Sequence, residues 1–154
     1  MDAQTPPSTK TAALVAIKRG LLLYWALWCS VIFATHAIFE LKAFGLIRFA
    51  DLPLLSSSTA IYGAAAGEHG VWSIGVVVWE GAAAVVFWIA LRKFRGRKSS
   101  QTAALAAPFA LAFSLFAVFV IADHLFLNSA YQAMHLRIMA ALSVSFLVVF
   151  FLPE

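Results

Sequence analysis

The side chains that could move protons or hold a ligand fall at a few places in an otherwise oily chain: His36, Glu40, His69, Glu80, Asp123, His124 and His135. Imidazole and carboxylate together suit zinc, copper or iron, and two imidazoles in a helical bundle suit haem. No two of these histidines have a tight metal spacing on one helix, such as i and i+4. His36 and Glu40 are four apart and share a helical face, with Cys29 further along it. Cys29 is the single cysteine, so an internal disulfide is excluded. Glycine-rich phosphate loops, paired cysteines and nucleophile elbows are absent from the chain, and no catalytic residue is assigned.

These residues must be positioned by apolar helices. Of 154 residues, 63% are hydrophobic and 12% charged, against roughly 45–50% and 25% in soluble domains. So small a volume cannot hide that much apolar surface, and the excess must face a bilayer. A hydrocarbon core of about 30 Å needs about 20 helical residues, and four such runs occur, at about 20–39, 71–91, 103–127 and 133–152. The expected fold is all-α, an integral membrane four-helix bundle. Residues 1–18 read as a disordered cytoplasmic tail and 19–154 as the four-span domain. Thr35-His36-Ala37 would pass as a signal cleavage site, but the first run exceeds the roughly 7 to 15 apolar residues of a signal peptide.

Lysine and arginine set the direction. Lys10, Lys18 and Arg19 precede the first span, and Arg92, Lys93, Arg95, Arg97 and Lys98 fill the link between the second and third. Only Lys42, Arg48 and Arg137 belong to the opposite side, so both termini are expected in the cytoplasm. The cluster from Arg92 to Lys98 also suits anionic lipid headgroups. The basic balance is thereby explained as topology, and nucleic acid is not an expected partner. The link from Glu40 to Gly70 is itself apolar, with Phe44, Ile47 and Phe49 among its side chains. It reads equally as an interfacial segment broken at Pro53 or as a surface for another subunit.

With this direction all four histidines, Glu40 and Asp123 collect near the outer face. That layer reads as a metal site, as a haem site, or simply as polar groups placed where water and headgroups are within reach. His135 is the weakest ligand, because its face continues through Ile138, Met139, Leu142 and Phe146 as a bulky packing or lipid-facing stripe. Glu80 lies deeper, nine residues into the second span. Ionised and facing lipid it would cost several kcal/mol, so it must be protonated, paired or in a polar cavity. Arg137 is the expected partner, because Ala140, Ala141, Val144 and Ser145 continue its face with small residues that admit a neighbouring helix.

Trp79-Glu80 followed by the basic end LRKFR, the stretch FAVFVIADHLF, and the C-terminal YQAMHLRIMAALSVSFLVVFFLPE carry a resemblance. Over residues 71 to 154 the chain resembles the bacterial family known as domain of unknown function 2165, predicted small integral membrane proteins with four spans. Gln132, Arg137 and Leu152-Pro153-Glu154 match the glutamine, arginine and leucine-proline-acid of that family's last segment. The resemblance implies that Glu80 and Arg137 sit at the family's intramembrane charges. The family tends to have glutamate and tryptophan at the end of span three, where this chain has His124 and Leu125.

The expected role is a non-catalytic accessory or scaffold subunit of a larger complex in the bacterial inner membrane, with the bilayer and other membrane subunits as partners. The chain has little soluble mass in which to run a reaction, and no cofactor is expected. The rival readings are a respiratory membrane anchor binding haem b or quinone through the histidine layer, and a small transporter carrying protons on Glu80.

Overall fold

A computed structural model of the protein describes residues 9–48, 71–94, 102–125 and 129–152. The described residues form four helices: α1 (Thr9–Ala43), α2 (Val71–Lys93), α3 (Thr102–Leu125) and α4 (Ser129–Phe151). All four are long and apolar enough to cross a membrane, and the protein is a multi-pass membrane protein built as an all-α four-helix bundle. Helix is the expected state of such segments, because hydrocarbon offers no partner to an unpaired backbone group.

The helix α1 differs most from expectation. Its 35 residues span about 52 Å at the usual rise, well beyond a hydrocarbon core of about 30 Å. Residues 9–18, expected in the disordered tail, are its first turns. The hydropathy of the sequence stops at Lys18-Arg19, but Val15 packs against the core and Lys18 is buried, so the helix is retained by packing beyond its apolar run. Its other end passes the expected limit at Phe39 and stops at Gly45, whose φ of 69° favours glycine. There the Leu46 N–H donates to the carbonyl of Leu41 and the Gly45 N–H to that of Lys42, each at 2.9 Å. This pair of bonds is a Schellman cap. Phe44 and Leu46 stand exposed beyond it and Ile47 is half-buried, while Phe49 and His69 lie outside the described residues.

The helices are arranged in a ring in chain order. The α1–α2 and α3–α4 hairpins are in contact through α2 and α3, with a smaller contact between α1 and α4. Among the described residues the backbones of α2 and α4 stay more than 8 Å apart between Cα atoms, as do those of α1 and α3. One aromatic series crosses the whole ring: Trp25 of α1 stacks with Phe87 of α2 at 6.5 Å, Phe87 meets Phe109 of α3 edge-on at 5.3 Å, and Phe109 meets Phe146 of α4 at 5.6 Å. Lipid tails are as apolar as these rings, so the packing gain comes from shape and dispersion rather than from escaping water. Small residues allow close approach between them: Ala83, Ala84 and Ala90 on α2 and Ala112 on α3 are all buried. At Gly81 the approach is close, because an added Cβ would lie 2.9 Å from the Phe33 ring.

Candidate functional site: two histidine–carboxylate pairs

Two of the four helix contacts are joined by a histidine and an acid. The ring Nδ1 of His36 on α1 donates to Glu80 on α2, lying 2.8 Å from each carboxylate oxygen. The ring Nδ1 of His135 on α4 donates to Asp123 on α3 at 2.5 Å. Glu80 is 3% exposed and His135 8%. An ionised carboxylate can only accept, so it bonds the imidazole tautomer that carries its proton on Nδ1. The two pairs play the same part, one in each hairpin.

Both pairs lie towards the end of the bundle where α1 and α3 finish, and antiparallel geometry explains why. His36 is seven residues before the end of α1 and Glu80 nine residues after the start of α2, depths of about 10 and 13 Å by helical rise. Two groups within a turn of one depth on adjacent helices can meet. The Phe33 ring beside Gly81 closes this contact towards the helix middle. Deeper still, the Trp88 indole donates to the Ser30 hydroxyl at 3.0 Å, and Ser30 donates to the Ala26 carbonyl at 2.7 Å. Three indole N–H groups, of Trp25, Trp28 and Trp79, are buried without a hydrogen-bond partner, as is one carboxylate oxygen of Glu40.

The second pair is set in aromatic walls. The His135 ring stacks on Phe119 at a centroid distance of 5.0 Å, and Phe116 lies tilted at 6.1 Å. The stripe through Ile138, Met139, Leu142 and Phe146 packs into the bundle. His135, expected as the weakest of the histidines, is therefore a buried and fixed one.

The expected Glu80–Arg137 pair is not formed. Glu80 is engaged by His36, Arg137 is exposed, and the helices that carry them sit diagonally across the ring. The small face of α4 has turned outward with Arg137: Ala140, Ala141 and Val144 are exposed, while Ser145 is buried. Large rings fill this bundle better than alanines do, and in a lipid-embedded helix both faces are apolar, so hydrophobicity does not say which one is inside.

The remaining candidates scatter. His124 is exposed and accepts a long, 3.4 Å contact from the Gln132 amide on α4. Among the described residues no three of His, Cys, Asp and Glu come together to hold a metal ion. Cys29 is buried on α1. Arg92 and Lys93 are exposed in the last turn of α2, whereas Arg95, Arg97 and Lys98 lie outside the described residues.

At the opposite end lies a group that the sequence pattern marked only as a charge setting direction. Lys18 is 4% exposed, and its ammonium donates to the carbonyl of Leu152 at 2.7 Å, just past the end of α4. A cation there satisfies an orphan carbonyl and complements the negative end of the helix dipole. Its sequence signal is a charge that lies inside a helix rather than before it. Comparison of the chain with protein-family models, with curated proteins and with solved structures finds no match.

Proposed function

We propose that the protein is a non-catalytic accessory or scaffold subunit of a larger complex in the bacterial inner membrane, with both termini cytoplasmic. The observation that carries this reading is the pairing of two acids with two histidines across the helix seams. His36 with Glu80 and His135 with Asp123 hold helices together, which is a structural use of side chains that a transporter or oxidoreductase would keep for its cargo or cofactor. Exposed Phe44 and Leu46 beyond the cap of α1 offer apolar surface at the same end. The cytoplasmic placement of the termini follows from Lys10, Lys18, Arg19 and the Arg92–Lys98 cluster, and the bacterial setting from the family resemblance.

Three measurements test it. Native gels of mild-detergent extracts should show the protein in a larger species; a wild type that runs as a lone monomer overturns the reading. Serine at Phe44, Ile47 and Phe49 should strip the protein from that species while leaving it inserted. An introduced cysteine at Ser57 should label from outside intact cells and one at Arg95 should not, in a Cys29→Ser background.

A redox-anchor reading has one observation in its favour. A histidine whose Nδ1 is held by a carboxylate is oriented as metal-ligating histidines are, with Nε2 as the ligating atom, and both His36 and His135 have that hold. Reduced-minus-oxidised spectra of the purified protein decide it: a Soret and alpha-band change would replace the scaffold reading with this one.

A further inference from the structure

Arg137 is six residues inside the apolar stretch Tyr131–Phe151, about 9 Å along the helix. It is exposed, and among the described residues no carboxylate pairs with it. The exposed Lys42, Arg92 and Lys93 stand instead in the last turns of their helices, where water and headgroups are near. Around Arg137 the outward face of α4 carries Ala133, Ala140, Ala141 and Val144, the last 61% exposed, flanked by the exposed side chains of Met134, Leu136 and Leu147. The alanines of this face form a shallow seat between larger side chains for a second helix, and a guanidinium at this depth is stabilised by an anion at the same level.

We infer that this face of α4 is the docking surface for a transmembrane helix of a different protein that carries an Asp or Glu level with Arg137. The inference rests on the accessory-subunit reading and names the surface that reading requires. Charge decides the occupant. A second copy packed in parallel through the same face would set Arg137 against Arg137, and like charges in low dielectric repel. A helix bearing a carboxylate supplies the bidentate acceptor that a guanidinium fits, and the alanines give that helix its seat.

Photo-crosslinking in cells that express the protein from its own locus tests this. Benzoylphenylalanine at position 140 should give one discrete protein adduct, and the same probe at Val85, exposed on α2, should not give it. The adduct should survive Arg137→Lys, fall at least tenfold in Arg137→Gln and Arg137→Glu, and return in Arg137→Glu when the acid of the crosslinked helix is changed to arginine. Because Arg137 is exposed, these variants should keep the wild-type melting temperature, which separates lost docking from lost folding. Adducts of lipid mass only, adducts of twice the protein's own mass, no protein adduct at position 140, or an adduct indifferent to Arg137→Glu would each overturn the inference. If native gels still show the larger species in those cases, the scaffold reading stands and only the α4 surface is wrong; a lone monomer in wild-type membranes removes both.

Discussion

His36 holds Glu80 through both of its carboxylate oxygens at 2.8 Å, tying the last third of α1 to the middle of α2. The bond sits between two helices that also share the Gly81–Phe33 approach and the Trp88–Ser30 hydrogen bond, so the α1–α2 seam is fixed at three levels. Breaking one side of a buried pair strands the other, at about 3–5 kcal/mol when both are charged. Glu80→Gln and His36→Gln should each lower the melting temperature in detergent. The double variant should lose less than the two singles added, because neither group is then left without its partner. Strict additivity would show that the two side chains are not coupled.

The two histidine–carboxylate pairs belong to different hairpins, and their losses should be independent. Combining Glu80→Gln with Asp123→Asn should give the sum of the single effects to within about 0.5 kcal/mol, as for sites with no shared partner. A larger departure in thermal denaturation would mean that one pair communicates with the other across the ring.

His135 contributes a ring as well as a hydrogen bond. His135→Phe keeps the stacking surface against Phe119 but leaves Asp123 without its donor, whereas His135→Ala removes both. The alanine variant should therefore be the less stable by about 1 kcal/mol or more, the worth of an aromatic contact. Equal melting temperatures would assign the whole effect to the hydrogen bond.

Gly81 is a tight point of the α1–α2 seam. A valine there would drive its methyl groups into the Phe33 ring and should cost about 1–3 kcal/mol, the range for overpacking. Phe33→Leu in the same chain should recover part of that loss. Failure of the second change to help would place the strain elsewhere than at Phe33.

Lys18 joins the first helix to the end of the last. Lys18→Met keeps the length of the side chain and removes its bond to the Leu152 carbonyl, with an expected loss of about 1.5–3 kcal/mol for a charge-assisted hydrogen bond. Limited proteolysis should then cut the C-terminal end faster than in the wild type. An unchanged digestion pattern would count against a role for Lys18 in tying down α4.

How much was legible in the residues follows from these particulars. Composition and the four long apolar runs determined the helices, their number and the membrane, since hydrocarbon leaves the backbone no other form. Charge also showed that Glu80 must be protonated, paired or in a polar cavity, because an ionised acid facing lipid is costly. The identity of its partner was not legible. Ending the first span at Phe39 placed His36 three residues from the helix end, too shallow for Glu80; the true end at Ala43 brings the two to one depth. Arg137 also has a suitable depth, and what excludes it is lateral position, since α4 lies diagonally across from α2 and turns Arg137 outward. Nor could the residues say which face of α4 turns inward. In water the polar face identifies itself, but in lipid both faces are apolar, so the choice falls to the fit of Leu142 and Phe146 against Phe109, a property of the packed bundle alone.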